Sequence, residues 1–249
     1  MTEEQWLVAM DAVPMLASFS EATSARKLRL FACGCCRRIL YLIADSRCQM
    51  AVDVAEWYAD GQRDDVQRLA ANDASYSVYA GMSEPGSGFS DAAVGMRKSN
   101  WEAAQAATYT TVTYTGGPCE AVRGAQLVAY HAAEAASLSD FPDHQAGAIG
   151  NYLKRVTGLN ERAGQADLMR CIFGNPFRPV SFSPSWRSDS AVALASGMYG
   201  SRDFSAMLIL ADALQDAGCD SPEVLEHCRD PKCTHVRGCW VVDLVLGKE

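Results

Sequence analysis

The stretch Ser24-Ala-Arg-Lys-Leu-Arg-Leu-Phe-Ala-Cys-Gly-Cys-Cys-Arg-Arg-Ile-Leu-Tyr-Leu-Ile-Ala44 shows most clearly what kind of fold this chain adopts. Its apolar residues recur at steps of three and four, which places them along one stripe of an α-helix. These residues are Leu28, Phe31, Ala32, Cys35, Ile39, Leu42 and Ile43. The stretch therefore predicts an amphipathic helix over residues 24–44.

A helix of opposite charge follows this stretch. Asp45 or Ser46 can cap its start, and Gly61 can end it. The charged residues are Arg26, Lys27, Arg29, Arg37 and Arg38 on the first helix and Asp53, Glu56 and Asp60 on the second. This pattern predicts an antiparallel helical hairpin with paired surface charges. The alternative is a nucleic-acid contact through the basic helix.

Helical patterns continue through the middle of the chain. Gly116-Gly-Pro118 divides an alanine-rich region into two helices, with Pro118 as a first helical residue. Two further helices are predicted at 147–156 and from a cap at Asn160 to about Phe173, because the region between them contains glycine and asparagine. Near the N-terminus, Pro14 predicts a turn.

The segment Gly174-Asn-Pro-Phe-Arg-Pro179 ends this helical body. Glycine supplies a left-handed cap, and two prolines prevent a return to helix. Helices are then predicted at 189–199, at 203–217 and after a cap at Ser221, whereas 240–246 fits either a strand or a closing helix.

The predicted fold class is therefore all-α. We expect a multi-helix bundle at 1–174, with a variable alanine-rich centre, and a smaller C-terminal helical lobe at 175–249 packed on it. A single domain over 1–249 is the alternative.

The composition is typical of an ordinary globular protein. Hydrophobic residues make up 49% and charged residues 21% of the 249 residues, which argues against disorder. A net charge of −8 disfavours a general nucleic-acid binder. The acidic N-terminus and the lack of a long apolar run predict a cytoplasmic protein without a membrane anchor, so the ten cysteines are expected to be reduced.

The stretch from His227 to Cys239 is the richest in metal-ligating side chains. Zinc is the one cofactor that the sequence suggests, because a tetrahedral structural site uses four sulfur and nitrogen ligands. The candidate ligands are Cys228, Cys233, His235 and Cys239. Their spacing departs from the usual pairs of closely spaced cysteines, and His227 is an alternative ligand. The competing interpretation is that Cys233 lies in a loop and binds nothing.

A cysteine–histidine enzyme is a further alternative for this stretch. His235 precedes Cys239 by four residues, so a helical turn could bring them together. Cys239 lies beside Trp240 in an apolar run and is expected to be buried, whereas a nucleophilic thiolate must be accessible. The sequence contains no phosphate-binding loop, serine-nucleophile elbow or zinc-protease motif, so we favour a protein that is not an enzyme.

Three stretches are similar to a family of paralogous, uncharacterised proteins that are abundant in planctomycete bacteria. They are Phe173-Gly-Asn-Pro-Phe-Arg-Pro-Val180, Leu210-Ala-Asp-Ala-Leu-Gln-Asp-Ala-Gly-Cys219 and His235-Val-Arg-Gly-Cys-Trp-Val-Val-Asp-Leu-Val-Leu-Gly-Lys-Glu249. The resemblance implies kinship but no particular activity, cofactor or fold. Such relatives often have Gly-Pro where this chain has Lys232-Cys233.

The favoured function is a non-enzymatic protein-binding or regulatory module, acting alone or as one subunit of a larger assembly. An acidic, helical body without catalytic motifs is typical of a protein that recognises another protein. The candidate binding residues are Phe177 and Arg178, between the two prolines, and Arg26, Lys27, Arg37 and Arg38 on the basic helix. Nucleic acid is not expected to be the sole partner, although a nucleic-acid-contacting subunit remains an alternative.

Overall fold

The computed structural model describes residues 1–20, 23–82, 91–112, 118–139 and 148–248. All regular structure within these residues is helical, which confirms the predicted all-α class. The helices are α1 (Glu3–Val8), α2 (Ala12–Ala17), α3 (Ala25–Arg38), α4 (Ser46–Ala59), α5 (Asp65–Gly81), α6 (Asp91–Thr110), α7 (Pro118–Ser139), α8 (Ala148–Phe173), α9 (Asp189–Ser201), α10 (Met207–Asp216), α11 (Pro222–Arg229) and α12 (Trp240–Leu246), with short 3-10 helices at Leu40–Leu42 and Pro184–Trp186.

The chain forms two compact units. Unit 1 contains Met1 and residues 8–166, and unit 2 contains residues 2–7 and 167–249. The division falls earlier in the chain than residue 174, where the sequence predicted it. It also assigns a short N-terminal segment to the C-terminal unit.

The predicted charge-paired hairpin is present in unit 1. Arg26 pairs with Asp60 at 3.0 Å. Arg37 pairs with Glu56, at 3.0 Å, and also with Asp53. The first helix is shorter than predicted, because α3 ends at Arg38 and the chain continues as a 3-10 turn. Its stripe is nevertheless buried: Leu28, Phe31, Ala32, Cys35, Ile39 and Ile43 are almost inaccessible.

The predicted break between two helices near Asn160 is wrong, because α8 runs unbroken from Ala148 to Phe173. Two glycines inside it allow close packing. A Cβ atom on Gly164 would lie 2.0 Å from the Arg38 guanidinium, and one on Gly158 would lie 3.2 Å from the Ser137 side chain. The glycines therefore serve helix packing and do not end a helix.

Two other helix boundaries differ from the prediction. Pro14 lies inside the first turn of α2 and not at a turn between elements, and the Asp11 side chain caps this helix by accepting from the Val13 amide at 2.9 Å. A proline is tolerated there because the first amides of a helix have no partner within it. The helix predicted from 203 begins only at Met207, after a turn in which the Ser205 amide donates to Asp203.

Unit 2 is built around one apolar core to which α9, α10, α11 and α12 contribute. Residues 240–246 form helix α12, which decides between the two alternatives that the sequence left open. The fully buried Trp6 of α1 belongs to the same unit, and its Nε1 donates to the Gly174 carbonyl at 3.1 Å. Gly174 has a φ of 65°, a left-handed conformation that favours glycine, and a Cβ there would lie 3.3 Å from the Trp240 ring. Both the backbone conformation and the close packing therefore favour glycine at this position.

Within the residues that the structure describes, no helix combines the length and the apolar character that a membrane crossing requires.

Candidate metal centre

Three segments of unit 2, the end of α8, α11 and the loop before α12, supply the side chains of a cysteine–histidine cluster. Cys171 lies in the last turn of α8, and His227 lies in the second half of α11. His235 belongs to the loop between α11 and α12, and Cys239 is the residue immediately before α12. We call these four residues the metal centre.

Two tight turns fold the loop so that His235 and Cys239 return towards α11. At the first turn, the Lys232 amide donates to Asp230 Oδ1 at 2.9 Å, just after α11 ends. At the second turn, the Cys239 amide donates to the Val236 carbonyl at 2.9 Å. Gly238 has a φ of 87° there, a conformation that favours glycine.

The ligand atoms of the metal centre lie within 4.8 Å of one another. Cys239 Sγ is 3.2 Å from His227 Nε2 and 3.8 Å from His235 Nδ1. Bond lengths of about 2.0–2.3 Å to zinc place neighbouring ligands of a tetrahedron roughly 3.3–3.8 Å apart. The cluster is therefore close to the geometry that zinc needs, and its widest pair would have to contract by about 1 Å.

The metal centre is more buried on its sulfur side than on its nitrogen side. Cys171 and Cys239 are inaccessible to solvent, whereas the two histidines are partly exposed. The Trp240 ring packs beside His227, with ring centroids 5.2 Å apart. The two imidazole rings meet edge to face at a centroid distance of 4.9 Å. An ion held here would be shielded from water by protein on most sides.

The electrostatics of the cluster favour protonated histidines beside the Cys239 thiolate. Burial opposes protonation of His227, but the charge of Cys239 and hydrogen bonds with Cys233 and Cys239 outweigh it and raise its pKa to about 10. The same two thiols raise the pKa of His235 to about 9, again against burial. Burial also opposes the Cys239 thiolate, yet a hydrogen bond with Cys171 and the His227 charge hold its pKa well below the usual value. A divalent cation can replace the protons that balance the thiolates.

The structure brings together half of the four ligands predicted from sequence. His235 and Cys239 belong to the metal centre, and His227, the alternative ligand, joins them. Cys228 does not belong to the group; it is buried in the apolar core of unit 2, because neighbouring residues on a helix point in different directions. Cys233 also lies outside the group, with its Sγ 3.9 Å from His227 Nδ1.

Sequence reasoning missed Cys171. No spacing rule connects it to the stretch from His227 to Cys239, because it lies in a helix far earlier in the chain. In the sequence, Cys171 resembles one more buried apolar residue of that helix, because Met169 and Ile172 beside it are also buried. Only the packing of the end of α8 against the loop before α12 reveals it as a ligand.

The candidate binding residues all have acidic neighbours or internal contacts. Arg38 pairs with Glu161 at 3.1 Å, in addition to the hairpin pairs of Arg26 and Arg37. Lys27 lies on α3, where it is half-buried. Arg178 pairs with Glu3 within unit 2, and Phe177 beside it is 44% exposed. Arg26, Arg37 and Arg38 therefore have carboxylate partners, which weakens the nucleic-acid alternative.

Comparisons with models of protein families, with curated proteins and with solved structures find no match to this chain. The interpretation of the metal centre therefore depends on its own chemistry.

Two sulfur and two nitrogen ligands form a set that zinc accepts readily, and four protein ligands leave no open position for a substrate or water. Such a closed site stabilises a fold and does not catalyse. The thiol-enzyme alternative would use the close pair of Cys239 and His227. Cys239 is completely buried, however, and a nucleophilic thiolate needs access to its substrate.

Proposed function

We propose that unit 2 is a zinc-stabilised domain, in which Cys171, His227, His235 and Cys239 bind one ion. The observation that carries this proposal is that four ligand atoms from three segments of the chain lie within 4.8 Å of one another. Two thiols and two imidazoles that point their sulfur and nitrogen atoms at one common region supply the ligand types and the number of ligands that a tetrahedral zinc site uses.

The physical benefit of the ion is that it links segments which the apolar core holds only in part. The loop from 230 to 239 contains no regular structure, and residues 230–232 are exposed. A zinc ion would connect this loop to α8 and α11 at once. The binding free energy of a structural zinc ion contributes directly to folding, because the unfolded chain does not present a preformed site.

Metal analysis of the purified protein tests this proposal. We expect about one zinc ion per chain, and a loss of most of it in Cys171→Ser, because removing one of four ligands opens the site. Cys219→Ser is the matched control, since Cys219 is also a buried cysteine of unit 2 but lies outside the metal centre. Less than about one tenth of an equivalent in the unaltered protein would contradict the proposal.

Protein binding is the second candidate function, and exposed apolar residues of α10 support it. Leu208 and Ile209 are 57% and 58% exposed. Ala206, which precedes them in the chain, lines a shallow groove of about 640 Å³ together with Leu194 and Met198. Neighbouring apolar side chains on a surface groove are typical of a site that binds an apolar segment of another protein.

A photo-crosslinking amino acid placed at position 208 tests this second candidate in living cells. We expect discrete covalent adducts with a protein at this position. The control is the same amino acid at Leu159, which is equally exposed at 58% but lies among the charged side chains Glu134, Arg155 and Arg162. Equal labelling at both positions would show that the adducts reflect exposure alone.

A further inference from the structure

Cys233 is a fifth soft side chain, and it lies against the metal centre without belonging to it. Its thiol makes hydrogen-bonding contacts with Cys171 and with both histidines. Unlike Cys171 and Cys239, which are inaccessible, Cys233 is partly exposed. The cluster therefore has two buried thiols and one that belongs to a partly exposed residue.

The position of Cys233 follows from the orientation of the His227 ring. Nε2 of this ring faces Cys239 Sγ at 3.2 Å, whereas Nδ1 faces Cys233 Sγ at 3.9 Å. If Nε2 binds the ion, the same ring presents its other nitrogen to Cys233. Cys233 would then remain a free thiol beside a filled site, in contact with the metal ligand Cys171.

We propose that Cys233 is a site of oxidation by peroxides, and that its oxidation forms a disulfide with Cys171 and releases the metal ion. This inference rests on the proposed zinc site. Three observations support it: Cys233 is the one partly exposed thiol of the cluster, it contacts Cys171, and Cys171 is one of the four proposed ligands.

The chemistry balances in two steps. The Cys233 thiolate attacks one oxygen of hydrogen peroxide, the O–O bond breaks, and the products are a sulfenic acid and hydroxide. The Cys171 thiolate then attacks the Cys233 sulfur and displaces a second hydroxide, which completes the disulfide. The two hydroxides take protons from solvent and become water. The two sulfurs lose two electrons to the peroxide, and the ion loses one of its thiolate ligands.

Peroxide treatment of the zinc-loaded protein, followed with a coloured zinc chelator, measures the release. We expect about one zinc ion released per disulfide formed, and mass spectrometry of the digested protein should identify the Cys171–Cys233 disulfide. Reduction in the presence of zinc should restore binding. In Cys233→Ser the release rate per bound ion should fall by about tenfold or more, because the exposed nucleophile is missing.

Cys219→Ser is the control, and its release rate should match that of the unaltered protein because Cys219 lies outside the cluster. Two outcomes would overturn the inference while leaving the zinc site intact: equally fast release in Cys233→Ser, or a disulfide that joins Cys171 to Cys239 instead. Absence of zinc from the untreated protein would contradict the proposed function itself, so the two failures are distinguishable.

Discussion

Removal of zinc is expected to unfold much of unit 2 while unit 1 remains folded. Structural zinc ions in small domains contribute roughly 10–16 kcal/mol of apparent binding free energy at neutral pH. The total stability of a domain is only about 5–15 kcal/mol. A domain that depends on its ion for a contribution of this size should not keep its native packing after a strong chelator removes the ion.

Hydrogen exchange with peptide resolution measures this effect in each unit separately. After chelation, amides of α9, α11 and α12 should lose protection, because the metal centre connects α11 and α12 to the core of unit 2. Amides of α3 and α7 in unit 1 should exchange at their original rates. Added zinc should restore protection in unit 2. Unchanged exchange in both units after complete removal of the ion would show that the metal centre does not stabilise the fold.

The helices of unit 1 could be predicted from sequence because their signals are local. The three-and-four spacing of α3 fixes its buried stripe, and Asp45 and Gly61 mark the ends of α4 through capping chemistry. The opposite charges of these two helices also predict their pairing, which the contacts of Arg26 and Arg37 confirm. Each of these signals depends on residues that are close together along the chain.

The errors have a common physical cause in long-range packing. Gly158 lies between the two helices predicted on either side of it and resembles a helix breaker, but α8 runs through it, and the Ser137 side chain packs against it from elsewhere in unit 1. Cys171 resembles a core residue, but the fold carries it to a loop that begins far later in the chain. The sequence reveals which side chains can bind zinc; it does not reveal which of them converge.

The prediction of zinc ligands also shows that a high density of cysteines and histidines in one short stretch of sequence does not identify which of them converge. Cys228 and Cys233 are candidate ligands in the sequence because they lie within the same short stretch as His235 and Cys239. Helical geometry turns Cys228 into the core, since it follows His227 by one residue and points in a different direction. The remaining member of the metal centre is Cys171. It lies in α8, whose own sequence contains no metal-binding motif.

Replacing Arg38 with methionine is expected to destabilise unit 1 by about 3 kcal/mol or more at pH 7, the usual cost of leaving a buried charge without its partner. The side chain of its partner Glu161 is only 8% exposed, so water cannot replace the lost arginine. Arg47→Met is the matched control. Its pair with Asp45 is exposed to water, which screens the two charges, so its loss should change the stability of unit 1 little.

The destabilisation of unit 1 by Arg38→Met should become smaller as the pH falls. The reason is that Glu161 takes up a proton at lower pH and then no longer carries an unpaired buried charge. Burial raises the pKa of this carboxyl above its usual value, although the charge of Arg38 and hydrogen bonds with Arg38 and Gln165 oppose the shift. Without Arg38 the pKa must rise further, so the folded protein binds a proton more tightly than the unfolded chain. The stabilisation from that proton is complete below the unfolded pKa of about 4.3 and is lost as the pH rises through the folded pKa.

Urea-dependent hydrogen exchange of α3, compared between pH 7 and pH 5, measures the free energy of unfolding of unit 1 in both variants. We expect the difference between Arg38→Met and the unaltered protein to be smaller at pH 5, and the small effect of Arg47→Met to stay nearly constant. A loss that is the same at both pH values would mean that the Glu161 charge is not its origin. The cost would then belong to the packing of Arg38 over Gly164, where a methionine leaves a gap that protonation cannot fill.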